Sequence, residues 1–334
     1  MKRPVWICLA LFGTLALTAC QKSEYAKKME ETRDSAIPIV KEAELGDDSF
    51  EEEYFNESPA KKADKNFKLD KTEIMGMVST EDGMLCVDGK NSQLILLSPD
   101  GTVLEKKGEL GSSPGEFQNP TGITKDDKYI YVLDDGNNRI QLFDMEMEYV
   151  KEIAIDKSRF EAQTIFRDLA VNGSGDIYMS GDTLLNPGIV FYSAPGYIQE
   201  HIEENFCGFL SSFDGKIYAL TSGQIYLPSD PEAYVGFGLR SGACTFLSVD
   251  GKKMTRVSSL EGQNYANDFI VNENMIYCTN STYAELQKFK TDGKYQDSLG
   301  QFDEGASYNY VAEDTEGNIY VSNGNDQIMV FGME

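Results

Sequence analysis

Residues 128–134, KYIYVLD, return five more times along the chain in altered form. The other copies are GMLCVDG from residue 83, GDIYMSG from 175, GKIYALT from 215, NMIYCTN from 274 and GNIYVSN from 317. Setting Cys86, Tyr131, Tyr178, Tyr218, Tyr277 and Tyr320 as equivalents gives intervals of 45, 47, 40, 59 and 43 residues. Self-similarity at such a period marks repeated supersecondary units. Within each unit, β-branched and aromatic runs alternate with turns, and Asp-Gly pairs starting at 82, 100, 135, 214, 250 and 292 suit tight hairpins. No strong amphipathic helical period follows residue 66. Six units of four antiparallel strands predict an all-β, six-bladed β-propeller over residues 66–334. The uneven intervals disfavour a solenoid, and a pair of sandwiches leaves the sixfold return unexplained. The last unit offers three strands before Glu334, so FKLDKTE, residues 67–73, is expected to supply the fourth and close the ring.

The region before the repeats has a different texture. Residues 1–19 begin with Lys2 and Arg3, continue through an apolar run from Val5 to Leu17 and end in small residues, the pattern of a secretory signal. The run is short for a membrane span. Leu17-Thr18-Ala19-Cys20 resembles a bacterial lipobox, which implies cleavage before Cys20 and a lipid on its sulfur; an ordinary signal peptide with a nearby cysteine is the alternative. Gln21 after that cysteine favours an outer membrane where the cell has one. Residues 20–65 hold thirteen acids and few apolar residues, a composition suited to a solvated tether. Removing residues 1–19 takes away two positive charges, from −25 to −27. So acidic a chain repels nucleic acid and anionic membranes, leaving the lipid as its membrane contact. Cys86 and Cys278 read as buried strand residues, while a Cys207–Cys244 disulfide stays open.

Residues 111–144, GSSPGEFQNPTGITKDDKYIYVLDDGNNRIQLFD, resemble an NHL repeat. The matching positions are Gly115, Phe117, Pro120, Gly122 and Ile123, then Tyr131, Val132 and Asp134, then Asn137 or Asn138, Arg139, Ile140 and Phe143. GKNSQLILLS and NGNDQIMVFG are weaker copies of the finish, with Gln93 and Gln327 in the place of Arg139. Together with the lipobox and acidic tether, this is similar to the six-bladed propeller lipoproteins of Gram-negative bacteria. The resemblance implies a monomeric propeller at the cell envelope.

Gly111-Ser112-Ser113-Pro114-Gly115 also fits the G-x-S-x-G pattern of a nucleophile elbow. An elbow needs a buried strand before the serine and a helix after it. Here VLEKKGEL precedes, and Pro114 and Pro120 follow. The chain has one histidine, His201, in an acidic stretch, so a serine hydrolase lacks its base. The stretch reads as an inter-blade turn.

Two candidate sites remain. Aligned starts of the innermost strands are Met75-Gly76, Thr121-Gly122, Arg167-Asp168, Cys207-Gly208, Asn267-Asp268 and Tyr308-Asn309. The glycines are expected to leave room, while Arg167, Asp168, Asn267, Asp268 and Asn309 converge on the channel mouth. There they either hold a polar ligand or calcium, or cap neighbouring amides. Residues 222–241 form an insertion whose Tyr226, Tyr234, Phe237 and Arg240 suit either a recognition loop over a sugar or peptide or a tolerated rim loop. The sequence therefore favours a non-catalytic binding or scaffolding module for a protein, peptide or glycan partner. A calcium-dependent lactonase-like propeller is the alternative, and no other cofactor is expected.

Overall fold

The computed structural model describes residues 63–159, 164–182, 189–193, 196–202, 208–221, 224–225, 240–241, 244–260, 266–280, 285–301, 310–323 and 326–332. Among them are six four-stranded antiparallel sheets, a two-stranded ribbon, two 3₁₀ turns and no α-helix. Strand β1 (Lys65–Lys68) opens the chain. Blade 1 is β2 (Ile74–Ser79), β3 (Met84–Asp88), β4 (Gln93–Leu97) and β5 (Val103–Lys107). Blade 2 is β6 (Pro120–Lys125), β7 (Ile130–Asp134), β8 (Arg139–Phe143) and β9 (Tyr149–Ala154). Blade 3 is β10 (Ile165–Val171), β11 (Ile177–Asp182), β12 (Ile189–Ser193) and β13 (Ile198–Ile202). Blade 4 begins with β14 (Gly208–Phe213) and β15 (Lys216–Thr221), which the ribbon of β16 (Gln224–Ile225) and β17 (Arg240–Ser241) separates from β18 (Thr245–Asp250) and β19 (Lys253–Ser259). Blade 5 is β20 (Asp268–Asn272), β21 (Met275–Asn280), β22 (Glu285–Lys290) and β23 (Tyr295–Gln301). Blade 6 is β24 (Tyr310–Glu313), β25 (Ile319–Ser322) and β26 (Gln327–Phe331), completed by β1.

Why these segments form strands is visible in their burial. The middle strands β3, β7 and β8 are buried at every position, so β3 and β7 read as nearly continuous apolar runs, while β8 buries Arg139 and Gln141 between its apolar residues. Both faces are covered because neighbouring blades pack face to face. Met84 and Cys86 of β3 join a core shared with blade 6, while Leu85 and Val87 of the same strand join one shared with blade 2. Six such cores, one per blade interface, include Tyr131, Tyr178, Tyr277 and Tyr320, each facing the blade that follows. The innermost strands touch in chain order, and β24 returns to β2, which closes the ring.

This packing corrects one alignment. Met77 pairs with Cys86 as Ile123 pairs with Val132, so Leu85, not Cys86, is the counterpart of Tyr131. A slip of one residue exchanges the two faces of a strand. Leu85 and Tyr131 both face the next blade, as equivalents must.

Ring closure occurs as expected, by a strand with different bounds. β1 pairs antiparallel with β26, Lys65 opposite Val330 and Lys68 opposite Gln327. Outside the ladder, Asp64 N–H donates to Val330 O at 2.8 Å and Leu69 N–H to Asp326 O at 2.6 Å. The pairing stops at Leu69 because Asp70 and Lys71 turn the chain, Lys71 at φ +56°. Residues 69–73 thus lie outside the closing strand, and the packed unit begins at or before Asp64, ahead of the boundary at residue 66. Among the Asp-Gly pairs, Asp214 and Gly215 take positive φ together, +50° and +69°, as a tight hairpin requires. Asp135-Gly136 does not form a two-residue turn; it opens the four-residue connection between β7 and β8, whose ladder closes at Asp134 and Arg139. It lies in a 3₁₀ turn ended by Asn138 in the left-handed region, and a Cβ on Gly136 would stand 2.4 Å from Gln118 O.

The Gly-Ser-Ser-Pro-Gly stretch is a turn held by side chains of blade 2. Asn137 Nδ2 donates to Gly111 O, while Gln141 accepts from Gly115 N–H and donates to Glu116 O. Arg139 makes the most contacts. Arg139 donates to Ser112 O, Ser113 O and Glu116 O at 3.0, 3.0 and 2.9 Å. Its Nε binds Asp134 Oδ2 at 2.8 Å and its Nη1 binds Glu152 Oε2 at 2.7 Å. Asp134 also accepts from Gln118 N–H, Asn137 Nδ2 and Gln141 Nε2. The NHL finish therefore has a mechanical meaning: it ties the inter-blade connection to the second and third strands. Blade 1 repeats the device without charge on the donor, since Gln93 Nε2 and Asn91 Nδ2 bind Asp88.

Two outcomes follow from the closure and the tie. A chain beginning at Leu69 is expected to melt about 10 °C or more below one beginning at residue 63; equal melting temperatures in calorimetry refute closure by β1. Arg139→Ala leaves the buried Asp134 carboxylate without its cation and should cost about 3–5 kcal/mol in denaturant unfolding. Arg139→Gln, copying blade 1, should recover part of that loss.

Candidate functional site

The six innermost strands surround a cavity of about 890 Å³. Its first level is set by where each strand begins. In blades 1 to 3 the register of the first two strands shifts there, between Ile74 and Met77, Pro120 and Gly122, and Phe166 and Asp168. Such bulges twist a strand end and re-aim its side chains. The pairs Ile123–Val132, Leu169–Met179, Leu210–Ala219, Phe269–Cys278 and Val311–Val321 then fix a common level one residue earlier. That level holds Gly76, Gly122, Asp168, Phe209, Asp268 and Tyr310 in ring order.

Of the expected channel-mouth residues, Arg167, Asp168, Asn267 and Asp268 line this one cavity. Asn309 lies outside the described residues. Blades 4 and 6 enter the ring one residue later than the sequence alignment placed them, at Phe209 and Tyr310 in place of Gly208 and Asn309. Spacing back from the repeated tyrosine conceals this, because first hairpins differ in length by a residue. Ser211 pairs with Tyr218, whereas Ala312 pairs with Tyr320. Two aromatic rings were missed for that reason.

The glycines do not leave open space. A Cβ on Gly122 would meet Leu169 Cδ2 at 3.0 Å and Arg167 O at 3.1 Å, and one on Gly208 would stand 2.0 Å from Leu220 O. Their role is close approach of backbone to backbone.

Asp168 and Asp268 do the same job in alternate blades. Asp168 accepts from its own blade at Leu169 N–H, 2.8 Å, and from blade 4 at Leu210 N–H, 2.6 Å. Asp268 accepts from Phe269 N–H, 2.8 Å, and from blade 6 at Val311 N–H, 2.8 Å. Each carboxyl is thus a clasp between adjacent innermost strands. Between blades 2 and 3 a hydroxyl serves, Thr121 Oγ1 donating to Phe166 O at 2.7 Å. At the far end of the channel, Asn272 Nδ2 of blade 5 donates to both oxygens of Glu313 in blade 6, at 3.1 and 3.3 Å.

Burial opposes ionisation of these acids. It pushes Asp168 up to about 7 against the pull of the Leu210 and Leu169 amides. Asp268 is raised well above the ordinary carboxylate range by burial and then by the charge of Asp168, against the Val311 and Phe269 amides. Glu313 is also raised, by burial first. Beside Asp268, the Nδ2 of Asn267 is buried and donates to nothing in the protein. Among the described residues, no three His, Cys, Asp or Glu side chains are grouped to hold a metal ion.

The remaining candidates fall elsewhere. Ser113 sits in the exposed turn, its N–H donating to Glu116 Oε2 at 2.9 Å. His201 lies in β13, opposite Val190. Arg240 lies in β17, opposite Ile225, so the 222–241 insertion opens as a ribbon between the second and third strands of blade 4. Tyr226, Tyr234 and Phe237 lie outside the described residues, as do Cys20 and Cys207. Among the described residues Cys244 is a free, buried thiol.

Residues 68–169 match the model of the family DUF5128, described as 6-bladed beta-propeller. A stretch of 59 residues is 42% identical to NHL repeat-containing protein 3 of Homo sapiens. The fold is a six-bladed β-propeller with a stretch similar to the NHL repeat. That alignment spans 17% of this chain and 17% of the human protein, so it concerns the repeat alone. Among solved structures, the luciferin-regenerating enzyme superposes with a TM-score of 0.56 at 12% identity, over 80% of this chain and 95% of its own. Regucalcin from Agrobacterium tumefaciens, a calcium-binding protein, does so with a TM-score of 0.55 at 10% identity, over 80% and 95%. At such identities the likeness is one of fold.

The raised acids give a pH signature. The folded chain holds a proton on Asp168 in the interval from about 4, the ordinary carboxylate value, up to about 7. The unfolded chain does not, so this contribution to stability is present at low pH and is lost as pH rises through that window. Between pH ~5 and ~8 the wild type should lose several degrees of melting temperature that Asp168→Asn does not lose. Parallel pH profiles of the two proteins count against the assignment.

Proposed function

We propose that this chain is a non-catalytic recognition propeller, held at a bacterial cell envelope by lipid on Cys20, with its ligand site at the channel mouth. The observation that carries the reading is the use of Asp168 and Asp268. Both oxygens of each carboxyl accept backbone N–H groups, and each carboxyl joins two blades. These bonds commit each carboxyl to holding adjacent blades together, which supports a structural use of the two acids over proton transfer or metal ligation. Export and anchoring are supported by the signal-like residues 1–19 and the Leu17-Thr18-Ala19-Cys20 ending. The formal charge of −25 supports a ligand or protein partner in preference to nucleic acid.

A second reading, a calcium-dependent lactonase-like enzyme, draws on the fold shared with regucalcin and on the acids in the channel. Purified protein is assayed on glucono-1,5-lactone with and without calcium, alongside a calcium titration of its melting temperature. The recognition reading expects hydrolysis at the blank rate and an unchanged melting temperature; calcium-dependent turnover overturns it in favour of the lactonase. In cells, the wild type should label with palmitate and Cys20→Ser should not. Equal labelling of the two removes the anchor from the reading.

A further inference from the structure

From the alternation of acid and aromatic around the channel mouth, we propose that the site takes a neutral polyhydroxylated ligand of the saccharide class. This deepens the recognition reading and rests on it. Blades 3 to 6 present Asp168, Phe209, Asp268 and Tyr310 in succession at one level of the cavity. Phe209 and Tyr310 are half-buried, each packed against an inter-blade core while also lining the cavity. Asn267, also in the lining of the cavity, supplies a polar group that the protein leaves unused. Its Nδ2 is a buried donor with no acceptor, and an unmet buried donor is costly unless a ligand or water accepts from it.

A sugar hydroxyl is both donor and acceptor, so one hydroxyl can accept from Asn267 Nδ2 and donate to the adjacent Asp268 carboxyl. Partly exposed aromatic rings between the acids offer apolar surface to the C–H face of a pyranose. Other classes fit less well. An anion would enter a cavity whose lining carries six acids against the three cations Lys125, Lys128 and Arg167. A metal ion would have to displace backbone amides from carboxyl oxygens, and no group of three ligating side chains stands ready among the described residues. An organic cation gains little from acids whose ionisation burial opposes and whose oxygens already accept backbone N–H groups. A neutral ligand with paired donors and acceptors can use the Asn267 amide, the Asp268 carboxyl and the two rings together.

The experiment is saturation-transfer NMR and calorimetry on the full chain with glucose, galactose, mannose, N-acetylglucosamine, cellotriose and maltotriose. Putrescine and calcium chloride serve as cationic probes. At least one saccharide should bind saturably, and Asn267→Ala should weaken it about tenfold with an unchanged melting temperature, since its side chain holds nothing in the fold. Should that variant not fold, Phe209→Leu keeps the packing volume and removes the ring, and a loss of similar size is expected. No saturable saccharide below roughly 10 mM, full affinity in the folded variant, or saturable binding of a cationic probe alone overturns the proposal. Binding followed by cleavage of the saccharide would leave this inference standing and overturn the non-catalytic reading.

Discussion

No blade of this protein owns a complete hydrophobic core. Successive residues of each middle strand point into different interfaces, so half of a blade's apolar surface is buried only when the neighbour on either side is in place. Burying a large aliphatic or aromatic side chain contributes about 1.5–3 kcal/mol, and each interface holds five or more such groups. An open row of blades would leave two of these half-cores facing water. Closure is therefore the condition for all six interfaces, and it rests on four residues of β1 against β26 with backbone bonds at either end.

The polar groups serve the same constraint one level up. Packed faces set the distance between blades, but apolar contact is non-directional and leaves blades able to slide. Asp168 and Asp268 fix the height of one innermost strand against the next through backbone amides, and Thr121 does so with a hydroxyl. At the outer connection, Arg139 binds three carbonyls of the 112–116 turn. Charged groups are tolerated in these places because each finds several partners, which offsets the loss of hydration. The mouth of the channel is thus built from the groups that align the ring, and the residues left over there, Asn267 among them, are the ones with capacity for something else.

How much of this was legible in the sequence depended on whether the signal was periodic. Six returns of a short apolar strand at intervals near 45 residues sufficed for the propeller, because a period survives local errors. The same strands could not be registered to within one residue. GMLCVDG offers Leu85 and Cys86 equally to the place of Tyr131, and only the cross-strand partner Met77 decides between them. Phe209 and Tyr310 escaped notice for a related reason: the hairpin turns vary by a residue while the tyrosines stay aligned. Asp168 and Asp268 were legible as candidates, since an acid at the start of an apolar strand is conspicuous. That each would reach across to the next blade was not, because its partner is a backbone amide some 42 or 43 residues away, and amides carry no sequence signature.

The division of each strand between two cores also governs how such a chain can change length. Removing Cys86 from the middle of β3 would shift the residues on one side of the gap by one place. Either Val87 turns toward blade 6 or Met84 and Leu85 exchange faces, which with the loss of Cys86 itself spoils two interfaces with one event. A gain of residues between β15 and β18 disturbs neither neighbour, because the added chain leaves the sheet as its own ribbon. The 59-residue interval and the even spacing of the strands themselves are two sides of that asymmetry. In lineages of this fold, new length should accumulate at hairpin connections while strands stay almost fixed in size, so the rims diversify around a ring that cannot.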